Sequence, residues 1–490
     1  MSAAPRALVY GMAVAGVATA RALLRRGHDV VTADDVVDDA KRATADELGV
    51  ELLEAPDTDR LRELVATCDL VSPAPGIPET HRLIDVAREL GVDLASEIEL
   101  AYRWEQDRPG GPRPMLAVTG TDGKTTTTLM TVAMLRAAGL ATIDAGNTET
   151  PLVEAIDDDT LDAFVVECAS FRLAWTPTFR AEAAVWLNLA PDHLNWHRSM
   201  TSYEDAKAQV WANQRADDTA IGFADDAVVT RRLADAPGRT RTFGGNDATA
   251  DYRLVGETLT GPGGPVVERS TMRRSLPHDV TNALAASALV LESGLAEPGH
   301  IAEALASFEG PAHRLQHVGR WNGVDWYDDS KATTPHAAAV AIAGFDDVVL
   351  IAGGKDKQVD LAEMATEPTR LAAVVAIGET ADAIAEAFAA VPTVIRRTTL
   401  TEAVHVASEL ATPGRTVLLS PGCASLDQYR SFEERGDEFV RLVRELHADA
   451  AADDADADDV GPVAGGRGSG EPAGETSAAD EPRRTNDEGH

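Results

Sequence analysis

Met115-Leu-Ala-Val-Thr-Gly-Thr-Asp-Gly-Lys-Thr-Thr-Thr-Thr128 decides the fold. An apolar run leads into a glycine turn, a lysine, and a row of hydroxyls that opens a helical pattern. Strand, turn and helix N-terminus in that order form a phosphate cradle, because backbone N–H groups and the helix dipole both favour an anion there. Lys124 adds a positive charge, and the Thr125 hydroxyl suits Mg²⁺. The common pattern G-x-x-x-x-G-K-[ST] is missed by one residue, since Val118 stands where its first glycine belongs. Gly120, Thr121, Asp122, Gly123, Lys124, Thr125 and Thr126 are the candidate ATP ligands of this loop.

Working outward, apolar strands alternate with Ala-rich helical stretches on both sides. This predicts an α/β protein with parallel sheets and with ligands at the carboxyl ends of strands. Three blocks are expected, at 1–112, 113–310 and 311–447, with a disordered acidic tail over 448–490. The linker Asp107-Arg-Pro-Gly-Gly-Pro-Arg-Pro114 divides the first two. The first block opens with a Rossmann-like strand, Gly turn, helix and strand ending at Asp34. Its turn reads Gly11-Met-Ala-Val-Ala-Gly16, with Ala13 in place of the middle glycine, which puts other nucleotides ahead of NAD. The tail carries twelve acids against three arginines and no aromatic residue.

A net charge of −36 argues against nucleic acid as a partner. Three widely spaced cysteines fit a reducing cytoplasm, and no apolar run reaches the roughly 20 residues of a membrane span. The N-terminus runs directly into a strand, so no signal peptide is expected. Of 44 basic residues only six are lysine: Lys41, Lys124, Lys207, Lys331, Lys355 and Lys357. A chain that uses arginine for surface charge keeps lysine where a compact, titratable ammonium is needed, base composition being the plainer explanation of the scarcity.

Strand ends in the second block carry chemistry. They deliver the phosphate loop, then Gly146-Asn147-Thr148, Glu167 and Asp192-His193. A carboxylate, an imidazole and a hydroxyl beside a phosphate loop suit Mg²⁺. Taken singly, Glu167 is as well read as a helix cap and His193 as a loop histidine; their joint placement favours the metal. Lys207 lies on the helix around Tyr203–Trp211, where a lysine is normally a solvated face.

From residue 7 to about 447 the chain resembles the Mur ligases, ATP-dependent amide-forming enzymes of peptidoglycan precursor synthesis. The family loop T-G-T-N-G-K-[ST]-[ST] has this spacing, with Asp122 replacing Asn. The segments around Glu167 (Glu-Cys-Ala-Ser-Phe-Arg-Leu), His193 (Asn188-Leu-Ala-Pro-Asp-His-Leu) and His313-Arg314 match as well. So do Asp328-Asp-Ser-Lys-Ala-Thr333, Gly353-Gly-Lys-Asp-Lys357 and Ser420–Gly436. The last is similar to the branch that adds D-glutamate to UDP-N-acetylmuramoyl-L-alanine.

The resemblance implies ATP, two Mg²⁺ sites held by Thr125, Glu167, His193 and Lys207, and a CO₂-derived carbamate on Lys207. Catalytic roles fall on Lys124, His193 and Lys207. Asn282, Arg314, Asp329 and Lys331 would reach ATP. Val14, Ala15, Asp34, Gly76 and Asn147 would hold the UDP-sugar. Thr333, Lys357, Ser425 and Phe432 would hold D-glutamate. His278-Asp-Val-Thr-Asn282 departs from the family at Asp279. A cytoplasmic monomer acting on small molecules, without membrane insertion, is expected. A sister ligase, a folylpolyglutamate synthase, a phosphate-loop kinase and a silent nucleotide-binding regulator are the competing readings. The absence of a D-N-P-R motif argues against the diamino-acid-adding sister, and retention of Lys124, Glu167, His193 and Lys207 argues against a silent homologue.

Overall fold

The computed structural model describes residues 4–245, 248–357 and 359–448. Residues 449–490, nearly all of the expected acidic tail, lie outside the described residues. Three sheets follow one another along the chain. The first is parallel throughout, in the spatial order Glu51–Glu54, Asp29–Asp34, Arg6–Tyr10, Leu70–Pro73, Asp93–Leu94. Strand order reverses beside Arg6–Tyr10, so the crevice past Tyr10 and Pro73 is the ligand position of such a sheet.

The central sheet has nine strands. From one edge run Thr142–Gly146, Ala163–Glu167, Met115–Thr119, Ala183–Trp186, Thr219–Phe223, Arg239–Gly244 and Tyr252–Val255, all parallel. Every residue of Met115–Thr119 and Ala163–Glu167 is buried, as expected of parallel strands covered on both faces. Alternate side chains point to opposite faces. Leu116 and Val118 join a core with Val132 and Leu284, from the helices Lys124–Ala137 and Pro277–Glu292. Ala117 joins another core with Val210 and Trp211, from the helix Met200–Ala212.

In the third sheet the order is Gln316–Trp321, Val324–Asp328, Thr416–Leu419, Val348–Gly353, Leu371–Ile377, Val394–Arg396. All neighbours are parallel except the first pair.

The sheets are not wholly parallel. Thr258–Gly261 and Gly264–Glu268 fold back as antiparallel edge strands on the central sheet. A short, Gly-punctuated stretch of this kind lacks the helix-length spacing that makes a parallel crossover legible. A second departure concerns the strand expected over 184–189, which stops at Trp186. Beyond it, Asn188 turns to the phosphate loop, where its Oδ1 accepts from backbone N–H groups. All three cysteines are buried and free. Among the described residues no helix is long and apolar enough to cross a membrane.

Candidate active site

The phosphate loop takes its shape from two glycines and a neighbouring amide. Gly123 has φ +82°, and a Cβ there would sit 2.7 Å from Asn282 Oδ1. At Gly120 a Cβ would meet Leu187 at 2.9 Å. Asn188 Oδ1 accepts from the backbone N–H of Thr121 and of Asp122, both at 2.9 Å. The N–H groups of the first helical turn, from Lys124 onward, have no partner within the helix and face outward for an anion. Asn188 was missed as a functional residue, although the segment matched around His193 begins with it.

Two lysines converge on one carbonyl. Lys124 Nζ donates to Gly120 O at 2.9 Å and to Thr121 O at 2.7 Å. Lys207 Nζ donates to the same Gly120 O at 2.6 Å and lies 4.7 Å from the Tyr203 ring centroid. Lys207 is only 1% exposed, so the solvated-face reading fails. Burial lowers both pKa values; Glu167 and Asp122 partly restore that of Lys124. That of Lys207 falls well below normal, with the Lys124 charge as the second cause.

Glu167 closes the next strand. Its Oε1 accepts from Asn147 Nδ2 at 2.9 Å, while its buried Oε2 has no protein partner. An orphaned, buried carboxylate oxygen is an unusual expense in a folded protein and fits a cation ligand. Asn147, expected at the UDP-sugar, thus also orients Glu167. His193 has φ +53°, a conformation uncommon outside glycine, and its ring packs edge-on against Phe171 at 5.5 Å. Burial lowers its pKa, and the charges of Lys124 and Lys207 lower it further against the opposing pull of Asp192. Among the described residues no three His, Cys, Asp or Glu side chains cluster as a ready metal site.

A cavity of about 490 Å³ opens between the central and third sheets. Seven of the expected nucleotide residues line it: Asp122, Gly123, Thr126, Asn282, Arg314, Asp329 and Lys331. Arg274, His278, Thr281 and the apolar Val340 and Ala341 share the wall. Sequence reasoning missed Arg274 and Val340; no motif marks them. Asp329 is held by Leu315 N–H at 3.2 Å and Ser420 Oγ at 2.7 Å, and burial pushes its pKa up to about 7. His313 sits at φ +58° and bonds Asp328 at 2.7 Å, which raises its pKa. A Cβ on Gly436 would lie 2.1 Å from the His313 ring, so the matched glycine admits that histidine.

In the third domain the two neighbouring lysines separate. Lys355 is exposed and pairs with Glu379 at 2.7 Å, whereas Lys357 Nζ reaches Thr333 O at 2.9 Å. Lys331 Nζ stands 5.6 Å from the Phe432 ring centroid. Ser425 is buried, and its carbonyl accepts from Gln428 and Tyr429 N–H. Arg435, also buried, holds Ser330 through Nε and Nη2 and Cys423 O through Nη1.

The first domain behaves differently. Val14 and Gly76 are exposed and Ala15 is half-buried at the carboxyl end of its sheet. Asp34 is already engaged, accepting from Met12 N–H at 2.7 Å, Val36 N–H at 3.0 Å and Lys41 Nζ at 2.8 Å. Burial alone would raise its pKa, but these bonds outweigh burial and lower it. Lys41, the one lysine outside every motif, is thereby accounted for. The domain is tied to the centre by Trp196 Nε1–H to Pro75 O at 2.8 Å and by Glu79, which accepts from Ser202 Oγ at 2.7 Å.

A phosphate loop facing a third-domain wall of Arg314, Asp329 and Lys331 defines a nucleotide-dependent enzyme. The chain belongs to the Mur ligase family: residues 118–290 match the Mur ligase middle domain and residues 313–423 the Mur ligase, glutamate ligase domain. It is 42% identical over 456 residues to the UDP-N-acetylmuramoylalanine–D-glutamate ligase of Frankia casuarinae, covering 89% of this chain and 93% of that one. With the enzyme of the same name from Myxococcus xanthus it shares 38% identity, over 90% and 98% of the two chains. The fold is similar to that of UDP-N-acetylmuramate–alanine ligase from Thermotoga maritima, with a TM-score of 0.53 at 19% identity, covering 91% and 99% of the chains.

Proposed function

We propose that this protein joins D-glutamate to UDP-N-acetylmuramoyl-L-alanine at the expense of ATP. The observation that carries the reading is the meeting of Lys124 and Lys207 at Gly120 of the phosphate loop, whose Asp122, Gly123 and Thr126 line an interdomain cavity with Asn282, Arg314, Asp329 and Lys331. A carboxylate oxygen of the alanyl substrate attacks the γ-phosphorus as the bond to ADP breaks, giving an acyl phosphate. The D-glutamate amine then attacks the carbonyl carbon, the C–O bond breaks, and phosphate leaves with the former carboxylate oxygen. The amine loses a proton on the way.

Lys124 and the helix N-terminus stabilise charge on the phosphoryl oxygens, so catalysis is chiefly positioning and electrostatics. Arg314 and Lys331 bring positive charge from the third domain, which also shields the acyl phosphate from water. Thr125, Glu167, His193 and Lys207 would hold Mg²⁺, the orphaned Glu167 Oε2 being the clearest sign. Bound there, Mg²⁺ would offset the charge of the ATP phosphates. An ammonium cannot ligate a cation, but the lowered pKa of Lys207 favours the free amine, the form that adds CO₂. The resulting carbamate is an anionic oxygen donor, and arginine cannot form it. Thr333, Lys357, Ser425 and Phe432 would receive D-glutamate. The exposed end of the first sheet, with Val14, Ala15, Asp34 and Gly76, would receive the UDP-sugar. Buried free thiols fit a cytoplasmic enzyme.

Phosphate release is measured with ATP, UDP-N-acetylmuramoyl-L-alanine and single amino acids. Release is expected with D-glutamate. Release with L-amino acids and none with D-glutamate would overturn the substrate assignment.

A further inference from the structure

Arg274, a wall residue of the nucleotide cavity, turns its guanidinium onto the chain's own interdomain connection. It precedes the helix Pro277–Glu292 of the central domain, and its side chain is 8% exposed. Nη1 donates to Leu315 O at 2.8 Å, Glu309 O at 3.2 Å and Arg314 O at 3.3 Å. Those carbonyls belong to the segment that leaves the last central helix, Pro298–Ser307, and enters the third sheet at Gln316. One guanidinium therefore gathers the interdomain connection into a loop. Nε donates to Asp279 Oδ1 at 3.1 Å, which supplies the counter-charge. Gly310, at φ +81°, makes room: a Cβ there would lie 2.9 Å from Nη1.

Two residues of the gathered loop serve the nucleotide cleft. Arg314 lines it, and Leu315 N–H holds the Asp329 carboxylate. Both flanking residues, His313 and Leu315, are at positive φ. Such conformations persist only where the surroundings impose them, and Arg274 is the cation that binds the carbonyls on either side of the Arg314–Leu315 peptide. Asp279, where the family motif has Asn, is the partner that keeps this arginine paired.

We propose that Arg274, paired with Asp279, is a positioning residue that clasps the interdomain hinge and sets Arg314 and Asp329 toward ATP. The inference rests on the cleft being the ATP site. Arg274→Lys keeps the charge but loses the fork. It is expected to weaken ATP binding about tenfold, while the affinity for the UDP-sugar stays within about twofold. Acting in part through Arg314, it should be non-additive: Arg274→Lys combined with Arg314→Lys should lose less ATP affinity than the two single losses together. Arg273→Ala, which removes the adjacent exposed pair with Glu309, serves as control and should change nothing.

The measurement is equilibrium binding of ATP to the full chain, with the thermal midpoint recorded in parallel. Additive losses would mean that Arg274 contacts nucleotide on its own account, and would overturn the clasp. So would a lowered midpoint with unchanged ATP affinity. If the unsubstituted protein binds no ATP, the reading of the cleft itself fails, and the clasp falls with it.

Discussion

Two strand–turn–helix units in this chain begin alike and end differently. In the first domain, strand Arg6–Tyr10 turns at Gly11 into a helix from Val14; in the central domain, Met115–Thr119 turns at Gly120 into a helix from Lys124. Both rely on glycine: a Cβ on Gly16 would sit 1.8 Å from Gly11 O, much as Gly123 is pressed by Asn282. Both present a helix N-terminus to an anion. The first adds no side-chain cation at its turn, and the acid that follows is consumed by Met12, Val36 and Lys41. The second adds two lysines that meet at one carbonyl, an orphaned carboxylate and a facing wall from another domain. The backbone geometry serves to bind; charged side chains forced together out of water are what suit the second unit to chemistry.

The sharpest way to break this contrast is to remove the buried lysine. Lys207→Ala should cut ligation by about 10³-fold, the scale of losing one preorganised electrostatic group, and added bicarbonate should not restore it. Near-normal turnover in a phosphate-release assay would refute the role given to Lys207.

Next in size is the buried Asp329. Its carboxyl titrates near 7 in the folded chain against 3.8 for the ordinary side chain. The folded state thus holds a proton that the unfolded state has lost between those values. Stability present below pH 3.8 is progressively lost as pH rises through 7, by roughly 4 kcal/mol at most. Asp329→Asn should therefore flatten the urea-denaturation profile between pH 4 and 8. A profile that stays as steep as that of the unsubstituted chain would contradict the assignment.

Smaller effects separate neighbours. Lys357→Ala should raise the KM for D-glutamate about tenfold, the cost of one charged hydrogen bond. Lys355→Ala, which removes an exposed pair with Glu379, should leave it unchanged. Equal effects of the two would erase the distinction drawn from Thr333. The least change is expected from Lys41→Ala, about twofold in the KM for the UDP-sugar, because Asp34 keeps two backbone donors. A hundredfold loss there would show that the first domain also works through charged side chains.

The same contrast explains what could be read from sequence. The central cleft was legible because it is written in residue types that have few other uses: lysines in an arginine-rich chain, a glutamate and a histidine at strand ends. Parallel strands buried on both faces read as apolar runs, so the three sheets were legible too. Asn188 was not, since an amide that braces a loop through backbone N–H groups resembles any polar loop residue. Arg274 was not, because its partners are carbonyls, which leave no trace in sequence. The edge strands over 258–268 were missed for want of helical spacing. The first-domain end stayed faint because backbone, not side chain, shapes it.

The central claim is that the cleft activates a carboxylate by phosphorylating it. UDP-N-acetylmuramoyl-L-alanine labelled with ¹⁸O in its alanyl carboxylate is turned over with ATP and D-glutamate, and the released phosphate is examined by ³¹P NMR or mass spectrometry. The account predicts one ¹⁸O atom in each phosphate released, carried across as the acyl phosphate forms and breaks. Amide product accompanied by unlabelled phosphate would contradict it.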